Sequence, residues 1–179
     1  KGDVMDAWCV SSGVTTGLTA TVAYRGDLGF FRVADLAVGG VIPLSVVLSG
    51  AYERPSAIAT AGTGSGTLRL EGNTLTFSIS YSGLSGPATR AHIHGPAGTE
   101  VSTGVMIDLE PFNGGSFGTS GTLAGSVVLT TDQKAAVLSG MTYVNVHTAA
   151  NAPGEIRGQV VPVAMGATLS GAQEAPAVV

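Results

Sequence analysis

Apolar and polar residues alternate with period two along much of this chain. Thr67-Leu68-Arg69-Leu70-Glu71 and Leu75-Thr76-Phe77-Ser78-Ile79-Ser80-Tyr81 each turn their large apolar side chains to one face, the signature of half-buried strands. Gly72-Asn73 between them reads as a hairpin turn, because both residues accept positive φ readily. Further strands are expected at Arg90–His94, Val105–Leu109, Gly121–Leu129, Tyr143–His147 and Glu155–Val163. Towards the N-terminus, Thr15–Tyr24 alternates in the same way, and Phe30–Val33 reads as another strand. One short helix is predicted at Thr131–Leu138, capped by Thr130 or Thr131 and ended by Gly140. Strands dominate, so the expected class is all-β, a Greek-key β-sandwich with one short helix.

A repeat organises the chain. Leu48-Ser49-Gly50-Ala51-Tyr52-Glu53-Arg54-Pro55 returns as Leu169-Ser170-Gly171-Ala172-Gln173-Glu174-Ala175-Pro176, an offset of 121 residues. That spacing is the size of an ordinary domain. Three segments follow: an N-terminal extension over 1–43, holding extra strands or the end of a preceding repeat, a β domain over 44–163, and a partial copy of the first strand over 164–179. Gly39-Gly40 marks the first boundary. The partial copy has two readings: it opens a next repeat, or it is a donor strand that pairs with a neighbouring subunit by strand exchange. Repeated head to tail, the second contact does not close and builds a filament.

Composition narrows the picture. Hydrophobic residues make up 44% and charged residues only 11%, with 27 glycines. So sparse a charge fits a surface partly covered by copies of the same chain or by a matrix, hence self-association into a homopolymer or tandem array. The net charge is −4 and no basic run occurs, so there is no footprint for nucleic acid. No apolar stretch approaches the roughly 20 residues of a membrane helix. The single cysteine, Cys9, cannot pair within the chain; it reads as a small buried apolar residue or as half of an intermolecular disulfide. Arg25-Gly26-Asp27 reads as a charged turn.

The chemistry concentrates in the histidines. There are three: His92 and His94, separated by Ile93, and His147, which ends Tyr143-Val144-Asn145-Val146-His147. In a strand, i and i+2 share a face, so His92 and His94 project together while Ala91 and Ile93 turn the other way. Val144 and Val146 likewise oppose His147. Two same-face imidazoles and a third from another strand suit one copper or zinc ion and leave a coordination position open. Asn145 shares the face of His147 and is a candidate to hydrogen-bond a ligand imidazole. The plainer reading is that all three are polar residues bonded to nearby loops. Beyond them, no serine lies in a nucleophile elbow and no glycine-rich loop opens a helix. The carboxylates Asp108, Glu110, Asp132 and Glu155 are scattered along the chain without a calcium-loop spacing.

Three segments resemble the CHRD (chordin-type) domain family. They are the opening Leu48-Ser49-Gly50-Ala51-x-Glu53-x-Pro55, the central Gly83–Ala97 segment with Arg90-Ala91-His92-Ile93-His94-Gly95-Pro96, and the closing Tyr143–Gln159 segment with Pro153-Gly154-Glu155-Ile156-Arg157-Gly158. The resemblance covers about residues 46–162. It implies an extracellular or cell-surface module, often in tandem, and a sandwich of superoxide-dismutase-like or immunoglobulin-like kind. The histidine pattern is also similar, more faintly, to copper–zinc superoxide dismutase, with His92, His94, His147 and Arg157 at the matching positions. With no fourth histidine and one cysteine, neither that family's second metal nor its disulfide is present. The likeness implies one metal per domain and two readings of Arg157: an anion-holding group beside the metal, or a partner of Glu155 on one strand face. The resulting expectation is an assembly module holding copper (alternatively zinc). A mononuclear copper oxidoreductase and an extracellular protein-binding module are the alternatives.

Overall fold

The structure is a computed structural model that describes residues 7–11, 14–18 and 41–163. The strands β1 (Ala7–Ser11) and β2 (Val14–Leu18) pair antiparallel as a separate two-stranded sheet. β2 covers the start of the expected Thr15–Tyr24 strand. The rest of that strand, Arg25-Gly26-Asp27, Phe30–Val33, Gly39-Gly40 and the copied segment 164–179 lie outside the described residues.

Eight strands make the main sheet: β3 (Val41–Ser49), β4 (Thr63–Glu71), β5 (Thr74–Ser82), β6 (Ala88–His94), β7 (Val105–Asp108), β8 (Gly121–Val128), β9 (Thr142–Thr148) and β10 (Ile156–Pro162). Every pairing is antiparallel, in the order β7-β6-β9-β10-β3-β4-β5-β8. The class is all-β, as the alternation predicts. Leu68, Leu70, Leu75, Phe77, Ile79 and Leu123 from one half of the sheet share a single apolar cluster with Ala91, Ile93, Val144, Val146 and Ile156 from the other. One continuous sheet therefore curls over its own core.

Local sequence explains the elements. The β4–β5 hairpin turns at Gly72, whose φ of 58° is comfortable only without a Cβ. The helix α1 (Thr131–Leu138) begins at a capping box, with the Thr130 hydroxyl accepting from the Gln133 amide and the Gln133 side chain accepting from the Thr130 amide. It stops before Gly140, at φ 68°. Among the described residues no helix is long and apolar enough to cross a membrane.

The two central strands β6 and β9 differ from the hairpin strands. β5 and the second half of β4 alternate buried with exposed, whereas β9 is buried at all seven positions. Its inward residues face the core. Its outward ones are covered by the loop over residues 95–104 and by the β9–β10 turn, so polar side chains are shut in on the outer face.

Candidate metal centre

β6 and β9 are neighbours in register, with His92 opposite Asn145 and His94 opposite Tyr143. Ala91, Ile93, Val144 and Val146 fill the core, so His92, His94, Tyr143, Asn145 and His147 all stand on the outer face. This is the division expected from the alternation. The three imidazoles converge, with ring centroids 5.0 to 6.0 Å apart and one ligand nitrogen from each lying within 4.8 Å of the others. They are only 8%, 8% and 7% exposed, so bulk water does not fill the space between them.

Hydrogen bonds set the tautomers. His94 Nδ1 lies 2.9 Å from the Thr103 carbonyl and His147 Nδ1 lies 3.0 Å from the Ala152 carbonyl. A carbonyl only accepts, so both Nδ1 atoms carry the proton and both Nε2 atoms present a lone pair. His94 Nε2 is buried and has no hydrogen-bond partner. His147 Nε2 is 3.1 Å from His92 Nδ1, which donates to it. Burial holds all three imidazoles below the ordinary histidine range. His147 falls to about 4, the Ala152 carbonyl opposing that shift and the other two histidines adding to it. Neutral imidazoles are the form that ligates a metal; of the three, His94 presents a free lone pair, while that of His147 is taken by the His92 N–H, whose proton a metal would have to displace.

The surroundings differ from expectation in two respects. His94 and His147 are oriented by backbone carbonyls, while Asn145 donates instead to Glu53 Oε2 at 3.4 Å. Glu155 and Arg157 do not pair. Glu155 precedes β10 and accepts from the Thr60, Ser85 and Thr148 hydroxyls, the Ser85 amide and the Asn151 side chain. Burial pushes its carboxyl upward, but the hydrogen bonds from Ser85, Thr148 and Thr60 prevail and hold it at about 2. Arg157 reaches the other way. It donates to the carbonyls of Gly98 and Val101 and to the Ser102 hydroxyl, and its guanidinium lies 3.6 Å from the centre of the Tyr143 ring.

Three features of the site were not picked out from the sequence. Tyr143 stacks on His94, rings 4.9 Å apart and 6° from parallel. Its place on the face of His147, four residues away, was the available signal. Glu53 is 4% exposed, with one carboxylate oxygen unpartnered. Burial drives its carboxyl up to about 7, against the opposing pull of Asn145, Arg157 and Arg54. Asp108 and Glu110, apparently scattered, meet on His92, with ligand atoms mutually within 4.8 Å. Only the β6–β7 pairing reveals that, by setting Asp108 opposite His92.

Residues 44–160 match the CHRD domain family model, well over half of the chain. The chain belongs to the CHRD domain family. No curated protein and no solved structure matches it.

Proposed function

From that membership and the closed histidine cluster, we propose that the chain is a non-enzymatic extracellular module holding one copper or zinc ion on His92, His94 and His147. The observation that carries this reading is the buried, unpartnered Nε2 of His94, in a cluster where ring nitrogens of all three histidines lie within 4.8 Å of one another. An unsatisfied buried acceptor is costly, and a cation removes the cost. The carbonyls that accept from His94 and His147 are of the kind that supports ligand histidines elsewhere. The extracellular placement rests on the family.

Metal analysis of protein purified without chelators tests the centre. One equivalent of copper or zinc is expected, lost in His94→Ala, and titration of the metal-free protein should release the proton that His92 shares with His147. Trace occupancy in the wild type, with no binding on titration, would return the histidines to a hydrogen-bonding role.

A second observation favours self-assembly. Leu44, Val46 and Leu48 turn into the core, and the residues at the same offset are Met165, Ala167 and Leu169. At Gly50 a Cβ would sit 2.3 Å from the Ile58 carbonyl oxygen, and Gly171 answers it. Buried Glu53 is answered by Glu174, whereas exposed Tyr52 becomes Gln173. The copy thus keeps an apolar residue at each of these three core positions, glycine at the close approach and the buried glutamate. β3 lies between β10 and β4, so a copied strand enters a neighbour by replacing that neighbour's β3, a swap rather than an edge addition. Electron microscopy of the chain with and without residues 166–179 decides: assemblies should vanish on deletion, and unchanged assemblies rule the swap out.

A further inference from the structure

Arg157 is 1% exposed and is the largest fully buried side chain in the fold. Among the described residues its guanidinium makes no ion pair. A buried cation without a carboxylate is expensive to keep. Its donors go instead to one loop: to Gly98 O at 3.0 Å, Val101 O at 2.8 Å and Ser102 Oγ at 3.3 Å. The next residue, Thr103, donates its amide to the Tyr143 hydroxyl at 3.1 Å and offers its carbonyl to His94 Nδ1 at 2.9 Å. Tyr143 completes the circuit, since its ring carries both the stacked His94 and the Arg157 guanidinium.

We propose that Arg157 is a positioning residue for the histidine centre, clamping residues 98–102 so that the Thr103 carbonyl locks His94 with its Nε2 lone pair inward. The proposal rests on the three-histidine reading. A planar guanidinium suits the role because it spans two carbonyls and a hydroxyl while lying flat on an aromatic ring; an ammonium cannot do both. Arg157 itself touches no ligand nitrogen. It acts through Thr103 and Tyr143.

The test uses the metal-free chain first. Long-range 1H–15N correlation spectra of the histidine rings should show His94 as a single Nδ1–H tautomer in the wild type. In Arg157→Met, which keeps the bulk and loses the donors, the ring should average between tautomers. Copper and zinc affinity should then fall at least about tenfold, the effect of losing an orienting contact around a ligand. Arg157→Lys, which keeps the charge without the fork, should fall between the two and decides the matter should Arg157→Met not fold. An unchanged His94 tautomer in either folded variant overturns the proposal, and so does failure of both to fold, which would make Arg157 a residue of stability alone. If the wild type binds no metal yet its tautomer lock depends on Arg157, the metal reading fails while the clamp stands. If metal binds equally well to wild type and folded variants, the clamp fails while the metal reading stands.

Discussion

Glu53 and Glu155 are carboxylates of the same length, 4% and 0% exposed. Burial pushes both upward, yet Glu155 is held at about 2 and Glu53 rises to about 7. The difference lies in donors. Glu155 receives hydroxyl, amide and carboxamide hydrogens from four residues. Glu53 has a long bond from Asn145 and a weak one from the Arg54 backbone, one oxygen is without a close partner, and the fields of Arg157 and Arg54 do not make up the deficit. Burial alone therefore says little about the charge of a group; the count of hydrogen bonds to its charged form decides.

The comparison breaks most directly at Glu155→Ala, which strands all those donors at once. A loss of at least about 3 kcal/mol is expected in urea unfolding at neutral pH; a loss below about 1 kcal/mol would mean the donors find water easily. At the other carboxylate, Gly154→Ala should cost about 2 kcal/mol. Gly154 has φ 143°, and a Cβ there would press to 2.4 Å from Asn145 Oδ1 and 2.7 Å from Glu53 Oε1. Thr148→Val removes one donor from Glu155 at nearly constant shape. It should cost about 1 kcal/mol in the same urea experiment. It should also raise the Glu155 carboxyl, moving the acid-unfolding midpoint upward.

The smallest effect is the sharpest in sign. Glu155, lowered from 4.5 to about 2, contributes stability that is complete above pH 4.5 and lost as pH falls towards 2. Glu53, raised from 4.5 to about 7, does the reverse: the folded state holds a proton that the unfolded state has released, so its contribution declines as pH rises from 4.5 to 7. Glu53→Gln should therefore match the wild type near pH 5 and exceed it by about 1 kcal/mol at pH 8, its amide now able to donate to Asn145 Oδ1. Urea midpoints of the two proteins at both pH values check this. The difference cancels the histidines, which titrate in both. A variant less stable than the wild type at pH 8 would show that the ionised carboxylate is satisfied after all.

Much of this architecture was legible in residue order. The alternation in Leu75–Tyr81 located β5, and Thr130 or Thr131 as cap with Gly140 as stop located the helix. Ala91, Ile93, Val144 and Val146 divided the faces of β6 and β9 correctly, which put the histidines together. The expected Glu155–Arg157 pair shows where such reading stops. Spacing of i and i+2 assumes one continuous strand, and β10 begins only at Ile156. Glu155 belongs to the turn before it and faces Thr60 and Ser85, residues more than sixty positions away.

The sequence by itself determined what depends on neighbours within a few residues: strand periodicity, turn and cap chemistry, the face on which each histidine stands, and the repeat that ties Leu169–Pro176 to Leu48–Pro55. Tertiary structure alone decided what depends on distant chain brought close. It set which carbonyls fix the His94 and His147 tautomers, which loop holds Arg157, that Asp108 and Glu110 meet on His92, and why one buried glutamate is fully ionised at neutral pH while the other keeps its proton up to about pH 7. The physical reason is that hydrogen bonds and desolvation act over a few ångströms of space, and only the curl of the sheet converts separation along the chain into that proximity.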